Sequence, residues 1–132
     1  MGEYVNFNDL LGKKVTSFNI NDYEITIQCD DGSHYKMYHQ QDCCESVYVE
    51  DICGDVMDII DNVVILAEES SNSDNPKLEG DYYSHTWTFY KIATIKGSVT
   101  IRWYGESNGY YSESVDIERT FITNTIQTKE YI

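Results

Sequence analysis

Apolar and polar residues alternate with a period of two through most of the chain, a pattern typical of half-buried β-strands. Three such runs open the chain, at residues 14–20, 23–30 and 33–39. Asp31-Gly32 separates the last two runs, and an Asp-Gly step between alternating segments favours a β-hairpin. The first third of the chain is therefore predicted to form an antiparallel β-meander.

Other patterns around this meander predict shorter elements. They predict a helical turn at residues 7–12, a strand at 47–52, a short helix at 54–61, a strand at 62–69 and a surface loop at 70–80. The helical turn begins near Asn8, a capping residue type, and ends at Gly12.

Residues 98–120 are predicted to form a β-hairpin, because apolar residues alternate along both halves of the segment. These residues are Val99, Ile101 and Trp103 on the first strand and Val115 and Ile117 on the second. A three-residue loop ending in Gly109 would pair Ile101 with Val115 and Val99 with Ile117. The apolar residues of both strands would then share one face.

The preceding strand, residues 86–95, can fold back through Lys96-Gly97 and place Ile92 opposite Ile101 and Tyr90 opposite Trp103. The other face of this sheet would carry Trp87, Phe89, Lys91, Arg102, Tyr104, Ser112, Ser114 and Asp116. We interpret the first face as core and the second as a binding platform.

Taken together, these elements predict an α+β protein that is mainly antiparallel β, with a meander, a long C-terminal hairpin and one or two short helices. A length of 132 residues is typical of a single domain, here residues 1–132. Residues 120–132 alternate enough to form an extended C-terminal arm, which we expect to pair with a second subunit.

The formal charge of −14 argues against binding of a nucleic-acid polymer, because an acidic surface repels the phosphate backbone. Solubility, a basic protein partner and mimicry of DNA are all compatible with such a surface. No apolar run reaches the length of about 18 residues that suggests a membrane helix, and the N-terminal residues do not resemble a secretory signal. A soluble cytoplasmic protein with no membrane partner is expected.

The cysteines and His39 are of the right type for zinc, but their spacing is wrong. No C-x-x-C pair is present, and Cys43-Cys44 in a strand would point to opposite faces. We therefore expect no metal site, no disulfide and buried thiols. No nucleophile elbow, HExxH helix or P-loop is present either, so no catalytic residue or cofactor is predicted, although a triad built from distant residues leaves no such motif.

Arg102 and Arg119 are the two arginines of the chain, and a guanidinium can bind phosphate bidentately or stack on an aromatic ring. Arg102 lies among the aromatic residues of the predicted platform, where an ion pair with Asp116 or Glu113 is an equally good interpretation. Arg119-Thr120 follows the apolar part of its strand and could complete a pocket at a dimer interface.

Three segments, DCCESVYVEDICGD, WTFYKIATIKGSVTIRWYGESNGYYSESV and ERT, resemble a family of small phage and bacterial proteins, the first-described type of anti-Thoeris sponge. The resemblance covers residues 9–120. It implies a homodimer in the host bacterial cytoplasm that sequesters cyclic ADP-ribose isomers made by TIR-domain sensors, without cleaving them. Some relatives assemble into hexamers that also hold cyclic trinucleotides.

The resemblance also implies site residues. An Arg-Thr pair contributes to ligand binding in the family, and Arg119-Thr120 matches it; Phe89 and Asn108 match an aromatic residue and an asparagine. The predicted ligand-binding set is Phe89, Arg102, Tyr104, Asn108, Asp116, Arg119 and Thr120. The trinucleotide site of relatives uses arginines from the first half of the chain, and this sequence has no arginine there. Two alternatives remain: an acidic DNA mimic that inhibits a host defence protein through residues 42–74, and a hydrolase of the same signal.

Overall fold

The computed structural model describes residues 2–74, 84–108 and 111–121. Over these residues the chain forms nine strands: β1 (Glu3–Tyr4), β2 (Val15–Ile20), β3 (Glu24–Cys29), β4 (Ser33–Tyr38), β5 (Ser46–Cys53), β6 (Leu66–Asp74), β7 (Ser84–Thr94), β8 (Gly97–Ser107) and β9 (Asp116–Phe121). Two single-turn 3₁₀ helices, Phe7–Leu10 and Val56–Asp58, complete the fold.

The strands form two antiparallel sheets. The first sheet has the order β1-β9-β4-β3-β2, and the second has the order β5-β8-β7-β6. The chain crosses from the first sheet to the second after β4 and returns after β8. The prediction of a mainly antiparallel β protein is confirmed, whereas the α+β class fits only weakly, because each helical segment of the described chain is one 3₁₀ turn.

The inner faces of the two sheets share one hydrophobic core. Its largest fully buried side chains are Phe7, Leu10, Val15, Ile25, Ile27, Tyr35, Met37, Ile59, Tyr90, Ile92, Ile101 and Trp103. Burial of one large aliphatic or aromatic side chain contributes roughly 1.5 to 3 kcal/mol. The first 3₁₀ helix supplies two of these residues, and its Phe7 ring lies 4.9 Å from the ring of Tyr90.

The meander is confirmed as β2, β3 and β4, with ends within one residue of the predicted ones. The strand predicted at residues 47–52 is confirmed as β5. The predicted helix at 54–61 is reduced to the 3₁₀ turn Val56–Asp58, and the strand predicted at 62–69 begins only at Leu66.

The β7-β8 hairpin keeps its predicted faces but not its predicted register. Its turn is Ile95-Lys96, so Ile92 lies opposite Val99 and Tyr90 lies opposite Ile101. This differs from the predicted pairing by two residues. Because side chains alternate with a period of two, a shift of two leaves every residue on the same face.

The predicted hairpin over residues 98–120 is wrong. β8 pairs with β7 and β5 in the second sheet, whereas β9 pairs with β4 and β1 in the first, so Ile117 lies opposite Met37 instead of Val99. The apolar residues of β9 could face the shared core from either sheet. Their alternation therefore does not determine which strand β9 pairs with. Gly109, proposed for the loop, lies outside the described residues.

Gly105 allows the segment that returns to the first sheet to lie close to β8. A Cβ atom at this position would be 2.9 Å from Cβ of Glu113 and 3.2 Å from Cγ2 of Val47. The carboxylate of Glu113 accepts hydrogen bonds from Ser107 (2.5 Å), Thr86 (2.7 Å) and Ser84. These hydrogen bonds hold residues 111–115 against the end of the second sheet.

Two further predictions concern polar segments. The loop predicted at 70–80 is wrong for residues 70–74, which are the last part of β6, and residues 75–80 lie outside the described chain. Of the proposed C-terminal arm, residues 120 and 121 belong to β9, and residues 122–132 lie outside the described part. No helix among the described residues is long and apolar enough to span a membrane.

The expectation of buried, unpaired cysteines is wrong for three of the four. Cys43 and Cys44 form a disulfide, and both are exposed. The expectation assumed that they lie in a strand, but they lie in the loop that joins β4 to β5. Cys29 is free and buried, and Cys53 is free and exposed.

Candidate ligand-binding site

The outer face of the second sheet carries the five β7 and β8 residues of the predicted platform, here called the outer platform: Trp87, Phe89, Lys91, Arg102 and Tyr104. Phe89 lies directly opposite Arg102, and Trp87 lies directly opposite Tyr104. Directly opposed residues of an antiparallel pair project from the same face. A strip of aromatic rings therefore borders one guanidinium.

Aromatic contacts continue across three strands of the outer platform. The ring of Tyr104 lies 5.3 Å from that of Trp87 and 5.7 Å from that of Tyr48 on β5. The Tyr104 hydroxyl donates to the Glu106 carboxylate at 2.7 Å. His85 Nδ1 lies 2.6 Å from the Tyr104 hydroxyl oxygen. Burial, followed by the Glu106 carboxylate, raises the pKa of Tyr104, so this hydroxyl keeps its proton at neutral pH.

Arg102 is held by carboxylates of β5. Its Nε donates to Oε1 of Glu50 at 2.7 Å, and its Nη2 lies 3.8 Å from Oδ2 of Asp51. An irregularity in β5 between Val49 and Asp51 sets both acids beside the arginine. The alternative partners Asp116 and Glu113 are therefore wrong. Asp116 lies on β9 of the other sheet, and the Glu113 carboxylate accepts from Ser84, Thr86 and Ser107. The Arg102 side chain is 40% exposed, and exposed ion pairs contribute only about 0 to 1 kcal/mol.

An open concavity of about 950 Å³ lies beside Phe89 and wraps the edge strand β6. Its lining comprises Asn6, Phe7, Asn8, residues 67–71, Phe89, Lys91 and Thr100. Small-molecule sites commonly enclose roughly 300 to 1,000 Å³. The lining offers two phenylalanine rings, an ammonium, two amides, two carboxylates and several hydroxyls. Burial raises the pKa of the Glu69 carboxyl above its usual value.

Arg119 lies on β9 opposite Tyr35 and is bound by two carboxylates. Its Nη1 donates to Oδ2 of Asp9 at 2.7 Å, and its Nη2 donates to Oε1 of Glu3 at 2.9 Å. Its guanidinium carbon also lies 5.2 Å from the centre of the exposed Phe121 ring. The hydrogen bond to Asp9 raises the pKa of Arg119, so the arginine remains charged.

Asp9 is a shared acceptor in this cluster. The Tyr35 hydroxyl donates to its Oδ2 at 2.6 Å, and Lys13 Nζ lies 4.0 Å from the same oxygen. Burial raises the pKa of Asp9, but the bonds from Tyr35 and Arg119 outweigh burial and lower it overall. The carboxylate is therefore ionised throughout the physiological range.

The predicted site residues thus occupy two regions. Phe89, Arg102 and Tyr104 lie on the outer platform, and Asn108 follows the end of β8. Asp116, Arg119 and Thr120 lie on β9 of the first sheet, opposite Tyr38, Tyr35 and His34. The structure does not place Arg102 and Arg119 on one strand pair, and each is bound to its own pair of acids.

The first 3₁₀ turn connects the two regions. Asn8 lines the concavity that contains Phe89, and the next residue, Asp9, binds Arg119. Sequence reasoning assigned no ligand role to Asn6 or Asn8, because only their tertiary position beside β6 brings them to the concavity. In the described part of the chain, no three His, Cys, Asp or Glu side chains are arranged to hold a metal ion.

Residues 8–117 match the model of a family described as a domain of unknown function (DUF7448). The chain belongs to this family. The match begins in the first 3₁₀ turn and ends in β9, so it includes β2 to β8 and most of the lining of the concavity. β1, Asn6, Phe7, Arg119 and Thr120 lie outside the matched range. No curated protein and no solved structure matches the chain.

Proposed function

We propose that this DUF7448 protein binds a cyclic ADP-ribose isomer and sequesters it without cleaving it, and thereby silences a TIR-generated defence signal in the host bacterial cytoplasm. The observation that carries the proposal is the concavity at Phe89, where an aromatic ring and the Lys91 ammonium lie beside the half-exposed Arg102. The resemblance of three sequence segments to anti-Thoeris sponges supports the choice of ligand.

The chemistry of the concavity suits this ligand class. An adenine can stack on Phe89, and ribose hydroxyls can bond to the amides of Asn6 and Asn8. A pyrophosphate can accept from Lys91 of the lining and from Arg102, which lies outside the lining but opposite Phe89. Stacking contributes about 1 to 3 kcal/mol per base, and a charged hydrogen bond contributes about 1.5 to 3 kcal/mol. One stack and two charged bonds therefore give roughly 4 to 9 kcal/mol.

Nanomolar capture requires about 12 kcal/mol net, after the cost of immobilising the ligand. The concavity of one chain falls short of this value and is open to solvent. A second chain that closes over the ligand would supply the missing contacts. We therefore propose a homodimer, as the resemblance implies, and assembly to a hexamer would follow the same logic.

Arg119 is the second proposed anion contact. Its two carboxylate partners differ in exposure: the Glu3 side chain is 69% exposed and that of Asp9 is 28% exposed. A ligand phosphate would displace Glu3 at lower cost, because that bond already competes with water. Asp9 would stay in place and orient the guanidinium. Thr120 follows Arg119 on β9 and projects from the opposite face of the strand.

The net charge of −14 slows the approach of an anionic ligand but does not prevent its binding. At physiological ionic strength the screening length is about 8 Å, so charges beyond the immediate contacts contribute little. Lys91 and Arg102 determine the potential at the concavity, and Arg119 determines it at the separate contact on β9.

Isothermal titration calorimetry with cyclic ADP-ribose isomers tests this function. Phe89→Ala should weaken binding roughly 5- to 150-fold, which corresponds to the loss of one stack. Arg119→Ala should weaken it comparably, because a charged hydrogen bond is lost. Tyr23→Ala and Lys36→Ala are the matched controls, since they remove an exposed aromatic ring from the β2-β3 turn and an exposed cation from β4. Equal affinity in wild type, Phe89→Ala and Arg119→Ala would exclude the site.

Mass spectrometry of the recovered ligand separates sequestration from hydrolysis. A ligand released unchanged on heating supports the proposal, and a mass gain of one water indicates cleavage instead.

A second candidate function is an acidic inhibitor that mimics DNA. It is favoured by residues 42–74, which contain no Lys or Arg and expose carboxylates such as Glu50 and Asp51. Salt-sensitive retention of one basic host protein, with no small molecule released on boiling, would support this function over the first.

A further inference from the structure

The loop from β4 to β5 contains a pair of cysteines whose position suits chemistry outside the ligand-binding site. Cys43 and Cys44 are adjacent in sequence, exposed and joined in a disulfide. We propose that they form a redox modification site: a vicinal dithiol that small disulfides of the glutathione class oxidise to an intramolecular ring, and that thiols reopen.

The loop holds the backbone of the pair from both sides. The carboxylate of Glu45 accepts from the amide nitrogen of Cys43 at 3.0 Å and from that of Asp42 at 2.7 Å. The Gln41 side-chain amide donates to the carbonyl oxygen of Cys43 at 3.3 Å and to that of Glu45 at 2.7 Å. These bonds restrict the loop, so the two sulfur atoms remain neighbours when the disulfide is open.

His39 connects this loop to residues 111–115, the segment through which the chain returns from the second sheet to the first. Its Nε2 lies 2.6 Å from the Glu45 carboxylate, and its Nδ1 lies 2.7 Å from the carbonyl oxygen of Ser114. The Ser114 carbonyl oxygen can only accept, so Nδ1 is the donor in that contact. The His39 and Glu45 side chains are almost completely buried, whereas the two cysteines above them are open to solvent.

The exchange proceeds in two steps. The thiolate of one cysteine attacks a sulfur atom of the oxidised reagent, which forms a mixed disulfide and releases one reduced thiolate. The neighbouring cysteine then loses its proton and attacks the protein sulfur atom of the mixed disulfide, which closes the ring and releases the second thiolate. The protein dithiol loses two electrons and two protons, and one glutathione disulfide becomes two glutathiones.

Adjacent position makes the second step intramolecular. An attacking thiol on the next residue competes well against free thiols, so the mixed disulfide is short-lived. Cys53, which is also exposed, has no described cysteine partner and provides an internal comparison on the same chain. It should retain a glutathione adduct under conditions that close the Cys43-Cys44 ring.

Maleimide labelling with intact-mass measurement tests the proposal on the full chain. After equilibration with reduced glutathione, the native protein should take three labels, on Cys43, Cys44 and Cys53. After oxidised glutathione, closure of the Cys43-Cys44 ring should remove two labels and lower the mass by about 2 Da, and a glutathione adduct on Cys53 should remove the third label. Excess thiol should restore all of them. Cys29 should label only after unfolding, because it is buried.

Two variants complete the design. Cys53→Ser should remove one label and leave the reversible two-label change intact. Cys44→Ser cannot close the ring, so it should retain a glutathione adduct on Cys43. The proposal is overturned if Cys53→Ser takes two labels at every ratio of reduced to oxidised glutathione. It is also overturned if the chains that lose labels are disulfide-linked dimers, or if they carry a stable glutathione adduct instead of the ring.

Discussion

Two buried tyrosines offer a matched test of how polar groups contribute to this core. Tyr90 and Tyr35 are both fully buried, with exposures of 0% and 1%. The Tyr35 hydroxyl donates to Asp9, whereas the Tyr90 hydroxyl has no hydrogen-bond partner among the described residues. We predict that replacement by phenylalanine changes stability in opposite directions at the two positions.

The magnitudes follow from the cost of desolvating a hydroxyl. An unpaired buried polar group costs about 1 to 3 kcal/mol, so Tyr90→Phe should stabilise the fold by up to that amount. The phenylalanine ring keeps the 4.9 Å contact of Tyr90 with Phe7. Tyr35→Phe removes a hydrogen bond to an ionised group and should destabilise by about 1.5 to 3 kcal/mol.

Urea denaturation at neutral pH measures both changes, and the fluorescence of the buried Trp103 provides a signal from the core. The midpoint should rise for Tyr90→Phe and fall for Tyr35→Phe, with unchanged slopes. A loss of more than about 1 kcal/mol in Tyr90→Phe would refute the reasoning, because it would mean that the hydroxyl has a partner such as a buried water.

Two further predictions concern the segments between the sheets. Hydrogen bonds to the Glu45 carboxylate outweigh its burial and lower its pKa from 4.5 to about 2. The ionised carboxylate therefore stabilises the fold above pH 4.5, and this contribution is lost as the pH falls toward 2. Urea midpoints between pH 6 and 3 should therefore fall less steeply in Glu45→Gln than in wild type; equal slopes would contradict this. Gly105→Ala should destabilise by about 1 to 3 kcal/mol through overpacking against Glu113, as measured by thermal denaturation, whereas an unchanged midpoint would show that residues 111–115 move away freely.

Local patterns predicted those parts of the fold that local contacts determine. The meander was predictable because short turns join its strands and the Asp31-Gly32 step sets one hairpin. The two faces of β7 and β8 were predictable because alternation alone assigns them. The register of the β7-β8 pair was not predictable from alternation, because turns at Ile95-Lys96 and at Lys96-Gly97 place the same residues on the same faces.

Long-range pairing was beyond such patterns. The apolar residues of β9 fit the inner face of either sheet, so Ile117 was assigned to Val99 although its partner is Met37. The carboxylate partners of Arg102 were missed for the same reason, because they lie on β5, some fifty residues away in the chain. The concavity is formed by a 3₁₀ turn placed against β6, and no sequence motif indicates that contact.

The position of β9 between β1 and β4 has a consequence for how the chain reaches its native state. All four strands of the second sheet lie between residues 46 and 107, so this sheet can assemble during translation as soon as they emerge. The first sheet must wait for residues 116–121, which insert between segments synthesised about a hundred residues earlier. Topologies dominated by such distant pairings fold on a scale of roughly milliseconds to seconds. Until then the meander exposes an unpaired edge, which is the interval in which chaperones would be needed most.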